Sequence, residues 1–174
     1  AFSTENWKRD KKEIAELFKV FRFALNILAK KFIKQGARLR ILGEIDRFPK
    51  DIAQKSLEMI QQSKKNSQIT VTFALNYGGR NEILRAVKKI VKENIPVDKI
   101  NEKLFSSHLD TSGIPDPDLI IRTGGDKRLS GYLPWQSVYS ELYFTNTLFP
   151  DFTPEKLKTA LKSFATRNRR FGGN

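Results

Sequence analysis

The sequence predicts an α/β fold in which a parallel β-sheet is flanked by helices. Segments of strand-like composition alternate along the chain with segments of helical periodicity, which is the order typical of parallel sheets. The chain has 174 residues, of which 39% are hydrophobic and 13 are phenylalanine, enough for one substantial core. We therefore expect a single domain over residues 1–174.

Residues 11–36 form the longest predicted helix. Apolar side chains recur there at three- and four-residue spacing, namely Ile14, Leu17, Phe18, Phe21, Leu25, Leu28 and Phe32. Gly36 suits the C′ position just past the helix. The segment is rich in phenylalanine, so it is either a core helix or the wall of a groove that binds hydrocarbon.

The remaining elements follow from composition and periodicity. Residues 68–75 are apolar and β-branched, which is typical of a central strand. Thr153-Pro154-Glu155 has the cap and first-turn residues of a helix. In chain order we predict a strand at 37–42, a helix at 51–65, a strand at 68–75, helices at 81–94 and 98–108, a strand at 118–122 and a last helix to about 168.

Composition and charge limit the kinds of site and partner that the protein can have. The chain has no cysteine, which fits a reducing compartment and excludes disulfides and thiolate metal sites. No apolar run approaches the roughly 20 residues of a membrane span, and no signal peptide is recognisable. With one histidine, His108, a zinc site is not expected. The net charge of +13 favours an anionic partner: nucleic acid, a membrane surface or a polyanionic small molecule.

An anion site is predicted where the strand at 118–122 ends. Arg122 stands just before the Gly124-Gly125 pair, and Arg128 and Ser130 follow it. Guanidinium groups bind phosphate oxygens bidentately, and glycine lets backbone N–H groups approach an anion. Because α/β sheets bind ligands at the carboxyl ends of their strands, we predict a phosphate or diphosphate site here rather than a loop with ordinary salt bridges.

Four further parts of the chain carry polar side chains that could bind a ligand. The turn Asn76–Arg80 joins a strand to a helix through Gly78-Gly79 and could hold an anion at the helix N-terminus. Glu141 lies among aromatic residues, either as the partner of an arginine or as a metal ligand. The segment 3–9 is either a helix cap or a polar site, and the basic tail at 167–173 could reach a phosphate.

Five segments, in order along the whole chain, resemble the cis-prenyltransferase family, the undecaprenyl diphosphate synthase type. They are AFSTENWKR (1–9), NYGGRNEI (76–83), PDLIIRTGGDKRLSGYLPWQSVYSELYFT (117–145), FPDF (149–152) and RRFGG (169–173). The resemblance implies a parallel sheet flanked by helices, with a hydrophobic tunnel for a growing chain. It implies a Mg²⁺-dependent transferase that condenses isopentenyl diphosphate onto an allylic diphosphate with cis stereochemistry, giving a polyprenyl diphosphate.

The resemblance also implies roles for individual residues. Asn6 would be catalytic, at the point of proton loss, and Glu141 would help to bind Mg²⁺. Arg170 and Gly172 would complete the neighbouring subunit's site in a homodimer. The substrates would be contacted by Ser3, Thr4, Glu5, Trp7, Arg9, Arg122, Arg128, Leu129, Ser130, Arg170 and Gly172.

The family's first motif, a strand followed by Asp-Gly-x-Gly-x-Trp, has no match in residues 1–174. We therefore expect an N-terminally incomplete domain that lacks one strand and has little activity as it stands. Two alternatives remain: a non-catalytic subunit of the same fold, and a basic nucleic-acid-binding module, for which the sequence has no readout motif. The expected location is the cytoplasm, with peripheral association at the membrane.

Overall fold

The computed structural model describes residues 1–168, and contacts divide the chain into two compact units, Ala1–Ser112 and the residues from Gly113 onward. Each unit contains parallel strands with helices packed against them. The predicted class, a parallel α/β structure flanked by helices, is therefore confirmed. The expectation of a single domain stays a prediction.

The first unit is built on a three-stranded parallel sheet in the order β1-β3-β2, with β1 at Phe2–Ser3, β2 at Ala37–Leu42 and β3 at Ile69–Tyr77. Phe2 of β1 pairs with Leu75, near the C-terminal end of β3. The strand predicted at 68–75 continues to Tyr77. The two-residue strand β1 was not predicted, because a strand so short has no periodicity.

Helices account for most of the remaining residues of this unit. The predicted helix at 11–36 is continuous, but its middle is π-helical and its last turn ends before Gly36. The predicted helix at 98–108 is shorter, because a 3₁₀ turn occupies Val97–Lys99. The helices are α1 at Lys11–Phe23, the π segment at Ala24–Ala29, α2 at Lys30–Lys34, α3 at Lys50–Ser63, α4 at Gly79–Lys92 and α5 at Glu102–Ser107.

The core of the first unit is aromatic. Phe2 is 2% exposed, and its ring lies 5.0 Å from that of Trp7 and 5.3 Å from that of Phe48, both in edge-to-face geometry. Phe18 and Phe21 of α1 pack on the same cluster. One face of α1 is therefore ordinary core, and it holds the segment around Trp7 against the sheet.

A buried polar network joins the end of β3 to α4. Tyr77 donates to Glu82 over 2.6 Å, and Glu82 accepts the backbone N–H of Asp110 over 2.9 Å. Arg85 binds both oxygens of Asp110, at 2.7 and 2.5 Å, and the N–H of Gly43 donates to the same carboxylate. Burial raises the pKa of Asp110, but the hydrogen bonds and charge of Arg85 outweigh it and keep that pKa below its ordinary value.

The second unit contains two parallel strands, β4 at Leu119–Arg122 and β5 at Glu141–Phe144, followed by α6 at Pro154–Ala165. β4 and α6 were predicted; β5 was not, because its four residues do not alternate in polarity. In the register of the pair, Leu119 lies opposite Glu141 and Arg122 opposite Phe144. Within residues 1–168, no helix is long and apolar enough to cross a bilayer.

Candidate functional site

The pocket beside the end of β4 gathers the predicted anion-binding residues. Arg122 is the last residue of β4 and donates through Nη1 to Ser130 Oγ over 3.1 Å. Its Nε is buried and has no acceptor among the described residues, a costly state that a bound oxyanion would relieve. The cavity measures about 230 Å³ and is lined by Ile120, Ile121, Arg122, Thr123, Arg128, Leu129 and Tyr132.

One carboxylate joins the two guanidinium groups of this pocket. Arg122 Nη2 donates to Asp126 over 2.9 Å, and Arg128 binds both oxygens of Asp126 at 2.8 and 2.7 Å. This bidentate geometry is the one that arginine offers to phosphate. Asp126 therefore holds the two cations side by side and occupies donors that a phosphate would use. The sequence analysis missed Asp126, although an acidic residue between two arginines was a visible signal.

The glycine pair has a different role from the predicted one. The N–H of Gly124 donates to Thr147 O over 2.8 Å, and that of Gly125 donates to Thr145 O over 3.0 Å. These amides are thus engaged by the segment after β5 and do not face an anion. The anion-binding capacity of this pocket lies in side chains, namely those of Arg122, Arg128 and Ser130.

The structure does not bring Glu141 to the arginine pocket. Glu141 opens β5 opposite Leu119, whereas Arg122 closes β4, so the two lie at opposite ends of the strand pair. They also lie on opposite faces, because side chains alternate along a strand. Glu141 Oε2 accepts from Arg167 Nη1 over 2.7 Å. An ion pair with arginine was one of the two predicted roles. In residues 1–168, no group of three or more acidic or histidine side chains could hold a metal ion.

The N-terminal motif forms a 3₁₀ helix at Thr4–Lys8. The side-chain oxygen of Asn6 accepts the backbone N–H of Ser3 over 2.7 Å, which fixes the amide of Asn6 at the helix entrance. Hydrogen bonds from its own backbone N–H and from Ser3 keep the pKa of Glu5 below its ordinary value. Arg9, just after the helix, forms an ion pair with Glu13.

The residues at the end of β3 hold the N-terminal motif in position. The indole N–H of Trp7 donates to Asn76 Oδ1 over 2.7 Å, and Asn76 Nδ2 donates to the carbonyl of Glu44 over 2.9 Å. A Cβ on Gly78 would lie 2.4 Å from Thr4 Oγ1, so only glycine allows this approach. The turn Asn76–Arg80, predicted as an anion site, therefore positions the N-terminal motif. No role of its own was predicted for the side chain of Asn76.

A second cavity, almost purely apolar, lies in the first unit between the sheet and the helices α1 to α3. Its volume is about 200 Å³. The aromatic helix at 11–34 forms one wall, so this helix is both core and cavity wall. The lining side chains include Phe21, Ala24, Leu25, Leu28, Phe32, Leu39, Ile52, Met59, Ile60, Phe73 and Leu75.

The predicted residues therefore fall into separate groups. Arg122, Arg128, Leu129 and Ser130 meet in the second unit, and Ser3 to Trp7 form one motif in the first. Arg170 and Gly172 lie outside the described residues.

Comparison with protein families supports the resemblance. A family model described as putative undecaprenyl diphosphate synthase matches residues 1–172. An isoprenyl transferase of Aquifex pyrophilus is 48% identical over 172 residues, covering 99% of this chain and 74% of that protein. An isoprenyl transferase of Chlamydia muridarum is 42% identical over 176 residues, covering 99% of this chain and 70% of that protein.

Two solved structures are similar over nearly the whole chain. A probable undecaprenyl diphosphate synthase from Campylobacter jejuni has a TM-score of 0.89 at 38% identity, covering 99% of this chain and 80% of that one. Lavandulyl diphosphate synthase from Lavandula x intermedia, in complex with dimethylallyl diphosphate, has a TM-score of 0.94 at 34% identity, covering 99% and 76%.

Proposed function

Because this chain belongs to the cis-prenyltransferase family of undecaprenyl diphosphate synthases, a family of transferases that elongate prenyl chains, we propose a specific reaction for it. In this reaction isopentenyl diphosphate is condensed onto an allylic diphosphate, and a cis double bond forms at each addition. Family membership favours this function over a nucleic-acid-binding module, for which the net charge was the only signal.

The observation that carries the proposal is the state of Arg122. Its buried Nε has no acceptor in the part of the chain that is described, while Arg128 and Ser130 supply further donors around the same pocket. A diphosphate has oxygens enough to accept from all three side chains. We therefore assign the diphosphate of isopentenyl diphosphate to this pocket, with Leu129 against its hydrocarbon part.

The apolar cavity of the first unit suits the growing prenyl chain. Its walls offer almost no hydrogen-bond partners, so a hydrocarbon gains by leaving water and a polar ligand does not. A water-poor cavity would also protect a carbocation-like centre from hydrolysis. The aromatic helix at 11–34 would then serve as the predicted tunnel wall.

In the N-terminal motif, we assign the catalytic role to Asn6 and substrate contacts to the side chains around it. The hydrogen bond from Ser3 fixes the amide of Asn6. An amide fixed in this way can orient the carbon that loses its proton only if that carbon is held close, so this role depends on the correct position of the motif. Ser3, Thr4, Glu5, Trp7 and Arg9 are the proposed substrate contacts.

Magnesium, the cofactor that the resemblance implies, is not supported by the residues around the arginine pocket. Glu141 faces away from Arg122 and is bound to Arg167. The Mg²⁺ requirement stays a prediction. The homodimer also stays a prediction, because Arg170 and Gly172 are not among the described residues.

The proposal is tested by binding and turnover. Isopentenyl diphosphate is titrated calorimetrically into the wild type and Arg122→Ala in the presence of a chelator. We expect the variant to bind about 10- to 150-fold more weakly, which corresponds to the roughly 1.5–3 kcal/mol of a hydrogen bond to a charged group. Incorporation of radiolabelled isopentenyl diphosphate into farnesyl diphosphate by the full gene product, with Mg²⁺, tests the reaction.

Two further variants serve as matched controls for the titration. Arg22→Ala removes an exposed guanidinium that pairs with Asp51, far from β4 in sequence. Glu141→Gln removes the carboxylate that pairs with Arg167. In chelator, both should bind isopentenyl diphosphate as the wild type does. Equal affinity of Arg122→Ala and wild type would reject the pocket assignment, and absence of a prenyl product would reject the reaction.

A further inference from the structure

The helix at 11–34 presents large apolar side chains to solvent. Val20 is 59% exposed, Phe23 57% and Ile27 51%. They are spaced three and four residues apart, so they form one stripe along successive turns, which we call the apolar stripe. Single exposed apolar residues are common, but a contiguous stripe that includes an exposed phenylalanine marks an interaction surface.

The apolar stripe borders the mouth of the apolar cavity. Val20 and Leu28 line that cavity and yet remain 59% and 44% exposed, so the cavity opens on this side of the helix. Phe23 and Ile27 do not line the cavity. They can therefore be changed without altering its wall.

The helix that carries the stripe is basic from its middle to its C-terminal end. From Leu17 to Gly43 the chain has seven lysines and arginines and no carboxylate. Lys19 pairs with Glu16 and Arg22 with Asp51. By contrast, the lysines that continue the spacing of the stripe into α2 form no ion pair within residues 1–168, namely Lys30, Lys31 and Lys34.

We propose that the apolar stripe docks on an anionic lipid bilayer, with the lysines of α2 on the headgroups and the cavity mouth against the acyl chains. Exposed aromatic and aliphatic side chains next to unpaired lysines are typical of helices that lie in a membrane interface. A second copy of the chain fits less well, because a two-fold interface would bring the same cations face to face.

This inference deepens the proposed function, since an apolar product could pass from the cavity directly into lipid. The docking itself needs neither substrate nor turnover. It is therefore tested separately, by sedimentation of the full chain with vesicles of phosphatidylcholine or of phosphatidylcholine mixed with phosphatidylglycerol. We expect binding to the mixed vesicles that weakens as salt is added.

Two variants probe the stripe. Phe23→Ser/Ile27→Ser should lower the vesicle partition coefficient at least about tenfold, because two side chains no longer enter the interface. Lys30→Gln/Lys31→Gln/Lys34→Gln should lower it about 100-fold at low salt, at about a factor of five for each cation near an anionic surface. Circular dichroism and melting curves check that both remain folded.

The matched control is Leu84→Ser/Val91→Ser on α4, which removes equally exposed apolar side chains, at 59% and 68%, from another helix of the same unit. It should bind vesicles as the wild type does. A wild type that does not bind mixed vesicles, or a control that loses as much binding as the stripe variant, overturns the proposal. So does a stripe variant with unchanged vesicle binding but an altered oligomeric state in analytical ultracentrifugation. Isopentenyl diphosphate binding by the stripe variant reports on the proposed function independently.

Discussion

The indole N–H of Trp7 donates a 2.7 Å hydrogen bond to the side chain of Asn76, a residue 69 positions later in the chain and wholly buried. Asn76 has a φ of 51°, so its backbone is in the left-handed region at the end of β3. Through Trp7 it positions the short helix that contains Asn6. A residue outside the N-terminal motif thus determines where the proposed catalytic residue stands.

We expect Asn76→Gly to lower the free energy of unfolding by about 1–3 kcal/mol, because the Trp7 N–H and the Glu44 carbonyl lose their partner. Glycine retains the left-handed backbone but makes the unfolded chain more flexible, so the loss is read against a matched control. Urea denaturation measures it. The control is Asn94→Gly, at an exposed residue with a φ of 53°, which should change stability little. Equal effects of the two substitutions would contradict the anchoring role of Asn76.

Gly43→Ala should lower the free energy of unfolding by about 2–5 kcal/mol or prevent folding. Its φ is +98°, and an added Cβ would lie 2.2 Å from the carbonyl oxygen of Leu75, a backbone atom that cannot move aside. Gly113→Ala is the comparison, because its φ is +73° but nothing lies within 4 Å of the new atom. It should lower the free energy of unfolding only by the strain of a left-handed backbone at alanine, about 1–2 kcal/mol. Denaturant unfolding of both variants separates steric clash from strain, and similar losses would show that the clash is absent.

Asp126→Asn should raise the affinity of the arginine pocket for isopentenyl diphosphate, titrated in chelator, by about threefold or more. The substitution removes the negative charge that repels the ligand and frees donors of Arg122 and Arg128. Calorimetry at two salt concentrations measures the change. A weaker complex would instead show that the carboxylate is needed to hold the two guanidinium groups in place.

The hydrogen bond and charge of Glu93, with a further hydrogen bond to the Leu104 carbonyl, raise the pKa of His108 above its ordinary value. A raised pKa in the folded state stabilises the protein when the histidine is protonated. This contribution is complete below about pH 6.5 and is lost as the pH rises through the raised value. The stability difference between wild type and Glu93→Gln, from urea unfolding, should therefore be larger at about pH 5.5 than at about pH 8.5. A difference independent of pH would show that the pair does not titrate.

Much of the fold could be predicted from local pattern. The β-branched run at 68–75 and the periodicity of residues 11–36 are strong signals because each repeats over several residues. β1 and β5 have two and four residues, so their pairing depends on contacts distant in sequence that no local pattern contains. The π segment was invisible for another reason: apolar spacing of three and four residues looks the same on either side of it.

The site was predicted in part. The arginines and Ser130 were found because chemistry and position coincide at the end of β4. The hydrogen-bond partners of the site residues were not predicted. The sequence does not show whether Asp126 faces the arginines or solvent, and Trp7 meets Asn76 only after folding. The position of Glu141, on one face and at one end of the strand pair, depends on the strand register. Only the structure shows that register.

The π segment at Ala24–Ala29 also determines which side chains of its helix face the apolar cavity. A π turn amounts to an α-helix with one residue inserted, and its wider winding absorbs that residue. If the same residues were wound as a regular α-helix, everything after the segment would rotate by about 100° about the helix axis. Phe32, which now lines the cavity, would then turn away from it. The winding of this one turn therefore sets the space available to a hydrocarbon, independently of any polar residue of the protein.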